Sequence, residues 1–320
     1  MSTIEKALDR LKDDKRAAQE VADPGNNTVE RAAPAGPLAT SDEVGGTTAT
    51  GSSFRVNIPF DALHEQGFLT PATPRSQIAE EFRAIKRPLL KNIAGKGVAS
   101  VANANLIMVT SALQGDGKTF SSLNLAISIA MEQDKTVLFV DADVLKATAG
   151  RLLGIPSNTP GLIDILRDQA VPEDVILPTS MDKLRFLPAG TPDEHSTESL
   201  AGENMHQLML EFSARYPDRV IIFDSPPLLL TTEAGVLASF MGQIVFVAAA
   251  DITPQQAVLE ALEHIGPDKM VGMLLNCMPR RRLGLFGKGV GYGYGYGYGY
   301  GSRLPADPEP GQAMSGASGQ

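Results

Sequence analysis

The sequence predicts an α/β protein built on a doubly wound, mostly parallel β-sheet. Apolar runs of strand length alternate along the chain with segments of helical periodicity, which is typical of βα units. The apolar runs are continuous, as expected of strands that helices cover on both faces. A glycine-rich loop joins the first run directly to the helix that follows it.

The first long helix is predicted ahead of the sheet, from Ser76 to Asn92, because apolar residues recur on one face at Ile78, Phe82, Ile85 and Leu89. The predicted strands are Leu106–Thr110, Thr136–Val140, Leu184–Leu187, Val220–Phe223, Ile244–Ala248 and Val271–Leu275. The predicted helices between them are Thr119–Gln133, Leu162–Asp168, Glu198–Arg215, Glu233–Phe240 and Pro254–His264.

The composition predicts less order at both ends of the chain. Residues 1–22 are predicted to form an amphipathic helix, and residues 23–53, rich in Pro, Gly, Ala, Ser and Thr, a disordered linker. A helical segment over 54–100 then leads into the sheet domain at 101–280. Residues 281–320, rich in Gly, Pro and Ser, are predicted to be a disordered tail.

Bulk properties exclude some classes of function. The 320 residues carry a net charge of −9 with a pI near 5.0, which argues against a nucleic-acid-binding protein. Cys277 is the only cysteine, so no internal disulfide forms, and its apolar surroundings predict a buried thiol. No run reaches the ~18 apolar residues of a membrane span, and the first residues lack a signal-peptide core. We therefore expect a cytoplasmic chain without a transmembrane segment of its own.

The glycine-rich loop has the pattern of a phosphate-binding loop. Gly115, Asp116, Gly117, Lys118 and Thr119 follow a predicted strand and open a helix, which is the context that this motif requires. Backbone N–H groups of such a loop surround phosphate oxygens, its lysine contacts the outer phosphates and its threonine hydroxyl ligates Mg²⁺.

One position departs from the pattern G-x-x-x-x-G-K-[ST], because Ala112 stands where the first glycine is expected. With the strand before it and the helix after it, the loop still predicts a doubly wound sheet of the P-loop NTPase type. Phe120 directly follows the threonine and is included in the predicted nucleotide site.

Acidic residues end two of the predicted strands. Asp141 and Asp143 follow one strand, and Asp224 follows another. Because parallel strands of such a sheet end at the same edge, the three carboxylates are expected near Lys118. Carboxylate oxygens are ligands that Mg²⁺ accepts, so the sequence predicts a magnesium site there, with Thr119, Asp141 and Asp224 as its ligands.

Five of the six tyrosines alternate with glycine in the tail, at Tyr292, Tyr294, Tyr296, Tyr298 and Tyr300. Such a run supplies no core packing and has a high entropic cost of ordering. A nucleotide site and a row of phenol hydroxyls in one chain favour an enzyme that phosphorylates itself.

Together these residues resemble the bacterial tyrosine kinases, and most closely the autokinases associated with exosortase-type exopolysaccharide loci. The resemblance covers nearly the whole chain, including the segments at Ser2–Leu8, Glu80–Leu90, the loop, Asp141–Asp143, Asp224–Leu228, Leu274–Asn276 and the tyrosine cluster. It implies an ATP- and Mg²⁺-dependent kinase in which Asp141 binds Mg²⁺ or accepts the tyrosine proton. Asp143 supports Asp141, and Asp224 is the second acidic site.

The resemblance also implies an oligomer. The family's E-x-x-R-x-x-R motif reads Glu80, Arg83 and Lys86 here, and lysine keeps the charge but lacks the bidentate geometry of arginine. A homo-oligomeric ring is therefore expected, with a separate membrane-anchored activator that recruits it to the inner face of the membrane and a phosphatase that resets the tail. Family members often carry arginine two residues after the second acid, where this chain has Leu145 and then Lys146.

Two other functions remain open from the sequence. An ATPase of the MinD/ParA class shares the fold and the paired acids, but its lysine five residues before the loop lysine is Leu113 here. A nucleotide-gated scaffold that regulates a polysaccharide export partner would need no catalysis.

Overall fold

A computed structural model describes residues 55–97, 100–192, 196–215 and 219–278 of the chain. The predicted amphipathic helix at 1–22, the predicted linker and the tail with its tyrosine cluster lie outside these residues. Within them, no helix is both long enough and apolar enough to cross a bilayer.

Seven strands form one sheet in the order β3-β4-β2-β5-β1-β6-β7. The strands are β1 (Leu106–Ser111), β2 (Thr136–Asp141), β3 (Leu177–Pro178), β4 (Leu184–Leu187), β5 (Arg219–Asp224), β6 (Gln243–Ala249) and β7 (Met270–Asn276). All neighbours are parallel except β3 and β4, which are antiparallel. The predicted parallel, doubly wound architecture is confirmed.

Ten helices lie among the described residues: α1 (Phe60–Glu65), α2 (Gln77–Ile93), α3 (Lys118–Ala130), α4 (Thr148–Leu152), α5 (Leu162–Leu166), α6 (Pro172–Val175), α7 (Ser196–Leu200), α8 (Glu203–Arg215), α9 (Thr232–Phe240) and α10 (Gln255–Glu263). The helices from α3 onwards lie between strands and supply the crossover connections that parallel strands need, whereas α1 and α2 precede the sheet.

The central strands β1, β2, β5 and β6 are buried on both faces. Successive residues of each strand point to opposite sides, so each strand contributes to two hydrophobic clusters. In β1, Leu106 and Met108 belong to one hydrophobic cluster, which also takes residues from α5, α8, α9 and α10. Ile107 and Val109 belong to a second cluster, formed with α1, α2, α3 and α4. A strand that helices cover on both faces is therefore buried along its length and mostly apolar, as β1 is.

The segment before the sheet is part of the same core. Val56 forms a parallel bridge with Thr179, and its N–H donates to the Pro178 carbonyl at 2.8 Å. The N–H of Leu69 donates to the Asn124 carboxamide oxygen at 2.6 Å, and the Asn124 amide donates to the Phe120 carbonyl at 2.8 Å. The buried Asn124 side chain thus attaches this segment to α3.

Three details differ from the sequence prediction. The helix predicted at Glu198–Arg215 is two helices, α7 and α8, separated at Ala201 and Gly202. The short elements α1, α4, α6 and β3 were not predicted. Segments of two to six residues show too little periodicity to be recognised in a sequence. The thiol of Cys277 is exposed rather than buried, since Cys277 lies after the last strand with a left-handed φ of 54°.

Replacing Asn124 with leucine is expected to lower the free energy of unfolding by about 1–3 kcal/mol, because the buried N–H of Leu69 loses its acceptor. Urea unfolding monitored by circular dichroism measures the change. The matched control is Gln133→Leu, at an exposed position after α3. Equal stability of the two variants would contradict this attachment.

Candidate functional site

The predicted phosphate-binding loop lies between the end of β1 at Ser111 and the start of α3 at Lys118. Gly115 and Gly117 have φ values of 95° and 90°, in the left-handed region that favours glycine. Gly117 is the N-cap residue of α3, so the first N–H groups of that helix open onto the loop. The positive end of the helix dipole makes this position suited to an anion.

The Asp116 side chain points into the protein and braces the loop. One carboxylate oxygen accepts the Leu113 N–H at 3.1 Å, and the other accepts the Thr253 hydroxyl at 2.6 Å. Asp116 is buried, so its carboxylate does not face a ligand, although its backbone belongs to the predicted nucleotide loop. Sequence reasoning missed Thr253; its position just after β6 was the available signal.

A second brace comes from Asn276, the last residue of β7. Its amide donates to the Asp116 carbonyl at 3.0 Å. A Cβ atom added to Gly117 would lie 2.0 Å from the Asn276 amide nitrogen. Glycine is therefore needed at 117 both for its backbone conformation and for this close approach. Asn276 therefore holds the loop in place from the end of β7.

The strand register brings the three predicted acids together. Asp141 and Asp224 are direct partners at the ends of β2 and β5, and Asp224 also pairs in register with Val109 of β1. Asp143 follows β2, and its carboxylate lies 3.0 Å from the Lys118 ammonium nitrogen. The structure thus places all four charged groups at the carboxyl edge of the sheet.

Hydrogen bonding leaves several of these oxygens without partners. One Asp141 oxygen accepts the Gly150 N–H at 2.9 Å. The other Asp141 oxygen and both oxygens of Asp224 are buried and accept no hydrogen bond of normal geometry from the described residues, although the hydroxyls of Thr119 and Ser122 lie near Asp224. Buried polar atoms of this kind are rare in proteins, which is consistent with a site that is completed by a ligand.

Burial of these carboxylates also shifts the pKa values of Asp141 and Asp224. Burial, and then the charge of Asp224, raises the pKa of Asp141 well above its ordinary value, although the Gly150 N–H favours the ionised form. Burial raises the pKa of Asp224 to about 6, although the Lys118 ammonium and the Thr119 hydroxyl favour its ionised form. Three carboxylates share one ammonium, so this edge of the sheet has an excess of negative charge.

The donor set fits Mg²⁺, which prefers a few carboxylate and hydroxyl oxygens and keeps water in its remaining positions. Thr119 lies in the first turn of α3 beside Asp224. Within the described ranges, no group of three His, Cys, Asp or Glu residues forms a complete metal cage. Any ion here would thus need ligand and water oxygens to complete its coordination.

The Phe120 side chain packs away from the loop, with ring centroids 4.8 Å from Phe68 and 6.4 Å from Phe82. Only its backbone is left to contact a nucleotide. Lys146 follows Asp143 by three residues, and its ammonium nitrogen is buried without a hydrogen-bond partner among the described residues. Sequence reasoning noted Lys146 but gave it no role.

The three residues of the predicted oligomerisation motif are in different environments. Glu80 and Arg83 form an exposed ion pair, and Arg83 also donates to the Pro74 carbonyl at 3.0 Å. Lys86 is buried; its ammonium donates to the Ser128 carbonyl at 2.5 Å and pairs with Glu132 at 2.6 Å. In a single chain, Lys86 therefore joins α2 to α3. The predicted phosphoacceptor cluster lies outside the described residues.

The chain is similar in sequence and in fold to tyrosine kinases of bacteria. A family model described as an AAA domain (AAA_31) matches residues 104–256. The tyrosine-protein kinase YwqD of Bacillus subtilis is 28% identical over 214 residues, which cover 66% of this chain and 86% of that kinase. The kinase domain of the Escherichia coli tyrosine kinase ETK superposes with a TM-score of 0.59 at 26% identity, covering 78% of this chain and 89% of that domain.

Some relatives are much longer than the matched region. The tyrosine-protein kinase wzc of Salmonella typhi is 30% identical over 185 residues, which cover 57% of this chain. Those residues span only 25% of that relative's length. The similarity therefore concerns the sheet domain and not the remainder of the longer protein.

Replacing Asp224 with asparagine is expected to stabilise the ligand-free protein at about pH 7.5, by on the order of 1–3 kcal/mol. The folded-state pKa of about 6 lies above the ordinary value of 3.8. Between these values the folded state binds more protons than the unfolded chain, so the contribution of Asp224 to stability falls as pH rises. Asparagine does not titrate in this range, so the Asp224→Asn variant keeps the stability that the wild type loses at this position.

Thermal unfolding between about pH 4 and pH 8 measures the difference, with the exposed Asp134→Asn as the control for a lost surface charge. The wild type and the Asp134 variant should lose stability more steeply than the Asp224 variant as pH rises. Parallel curves for all three would contradict the assignment.

Proposed function

Because this chain belongs to the bacterial tyrosine kinases, we propose that it transfers the γ-phosphoryl group of ATP to its own tyrosine cluster, Tyr292–Tyr300. One observation carries the proposal: a phosphate-type loop and three buried carboxylates meet at one edge of the sheet. The tyrosine cluster supplies the acceptors in the same polypeptide.

The loop and the start of α3 bind the triphosphate in this proposal. Their N–H groups surround the phosphate oxygens, while Lys118 exchanges Asp143 for the outer phosphates. Thr119, Asp141 and Asp224 would hold Mg²⁺, which would neutralise part of the phosphate charge. Phosphoryl transfer demands mainly this positioning and neutralisation, because its transition state is loose.

The acceptor step needs a base near the tyrosine oxygen. As that oxygen bonds to the γ-phosphorus, the bond from phosphorus to the β–γ bridging oxygen breaks and ADP leaves. The phenolic proton, with an ordinary pKa near ~10, passes to Asp141. The unpartnered ammonium of Lys146 adds positive charge in place of the family's arginine.

We expect transfer between neighbouring chains of a homo-oligomeric ring. The stretch from Pro279 to Tyr292 reaches about 45 Å when extended, which is enough to span neighbouring chains but does not exclude transfer within one chain. Glu80 and Arg83 offer an exposed charged pair for the subunit contact.

The physiological setting follows from the same resemblance. Phosphorylation of the tail regulates exopolysaccharide biosynthesis or export in this proposal. A membrane-anchored activator recruits the cytoplasmic kinase to the inner face of the membrane, and a tyrosine phosphatase resets the tail.

Incubation of the full chain with ATP and Mg²⁺ is expected to add phosphate to tyrosines of the Tyr292–Tyr300 cluster. Mass spectrometry of the tail peptide measures it, with Lys118→Met as the inactive control. Release of inorganic phosphate without phosphotyrosine would instead indicate an ATPase. Neither product would indicate a nucleotide-gated scaffold.

Mixing a Lys118→Ala chain with an active chain truncated before Tyr292 tests transfer between chains. The inactive chain should become phosphorylated on its tail, because its neighbour supplies the catalytic edge. An unphosphorylated tail after mixing, with the untruncated active chain modified in parallel, would show that transfer occurs within one chain.

A further inference from the structure

A row of cations lies on the outer face of α2, away from the nucleotide edge. We call it the basic stripe; it consists of Arg83, Arg87, Lys91 and Lys96, which line a surface groove of about 620 Å³ with Leu90 and Ala94. The first three are spaced four residues apart and therefore share one side of the helix. This is a concentrated positive surface on a chain whose net charge is −9.

Most of this charge is uncompensated. The single carboxylate that lines the groove, Glu132, is paired with the buried Lys86. Arg83 is paired with Glu80, but the exposed side chains of Arg87, Lys91 and Lys96 form no hydrogen bond or ion pair with any other described residue. Three free cations thus remain available to an anionic partner.

We propose that the basic stripe binds the phosphorylated tyrosine cluster, Tyr292–Tyr300. This inference rests on the proposed function, since it takes phosphotyrosine as its ligand. Each phosphate carries about −1.5 to −2 charges, and guanidinium groups bind phosphate through paired hydrogen bonds.

The spacing of the two partners matches. Alternate residues of an extended chain lie on the same side, about 6.6–6.8 Å apart, so the tyrosines of the Gly-Tyr run would present their phosphates in one row. Cations four residues apart on a helix are separated by about 6 Å along its axis. Successive phosphates therefore meet successive cations of the stripe.

The chain also leaves the structure at a suitable place. Met278, the last described residue, lines a groove on the adjacent face of α2 with Ala84 and Pro88. One helix diameter is about 10–12 Å, whereas the stretch from Met278 to Tyr292 extends to about 46–50 Å. The cluster can therefore reach the stripe of its own chain, at the high effective concentration of a tethered ligand.

Arg83 lies at one end of the stripe and also belongs to the predicted subunit contact. A phosphorylated tail on Arg83 and Arg87 would compete with that contact for the same helix. Binding of the tail thus gives phosphorylation a direct route to ring disassembly.

The test uses a synthetic peptide of residues 290–301, phosphorylated at Tyr294, Tyr296 and Tyr298 and labelled for fluorescence anisotropy. It is titrated into the full chain carrying Lys118→Met, which leaves all tyrosines unmodified. The phosphopeptide should bind at least about tenfold more tightly than the unphosphorylated peptide. Raising the salt concentration should weaken the binding.

Adding Arg87→Ala and Lys91→Ala should reduce phosphopeptide affinity at least about tenfold, because two of the three free cations are lost. The control, Arg55→Ala with Arg185→Ala, removes two exposed cations at the end of the sheet formed by β3 and β4, and neither of them lines the groove. It should bind like the parent. Equal affinity of the stripe variant and the control would overturn the proposal, as would no binding at all.

Sedimentation with vesicles containing phosphatidylserine separates the tail from a membrane as the ligand. Loss of vesicle binding in the stripe variant, with phosphopeptide binding unchanged, would make the stripe a membrane contact and refute the proposal. The peptide is made synthetically, so the result is independent of catalysis. A chain that binds it through the stripe but never phosphorylates itself would refute the proposed function and leave the site standing.

Discussion

An excess of buried negative charge at the carboxyl edge of the sheet dominates this molecule. Parallel pairing of β2, β5 and β1 forces Asp141, Asp224 and the phosphate-type loop to the same place. Among the residues that the structure describes, Lys118 alone forms an ion pair with one of the acids at this edge. The packed core beneath keeps these carboxylates close together despite their mutual repulsion. Binding of protons or cations relieves that repulsion. The same charge imbalance that destabilises the folded protein makes this edge of the sheet favourable for a cation.

The loop is rigid because it is tied to strands that are far apart in sequence. Asp116 receives the Thr253 hydroxyl from beyond β6, and Asn276 reaches it from the end of β7. A loop held in this way loses little conformational freedom when it surrounds phosphate, so less of the binding energy is spent on ordering it. Two strands thus shape a site to which they supply no catalytic group.

Much of the fold was predictable because its signals are local. Continuous apolar runs identify β1, β2, β5 and β6, and parallel strands place their terminal acids at one edge without further information. The side-chain directions were not predictable. From the sequence, Asp116 is a loop residue with no known partner. The structure shows that its carboxylate accepts a hydrogen bond from Thr253, 137 residues later in the chain. From the sequence, Lys86 is a surface cation. In the structure it is buried and contacts the Ser128 carbonyl of α3 and the Glu132 carboxylate. Such contacts depend on the order of strands, which short-range patterns do not encode.

The end of β7 has a mechanical consequence. Asn276 is both the last residue of an edge strand and the group pressed against Gly117, and Met278 stands two residues further along. With no spare room between the amide and the glycine, a pull on the chain beyond Met278 shifts the strand end and the loop together. A displacement of the end of β7 is therefore transmitted directly to the glycine-rich loop.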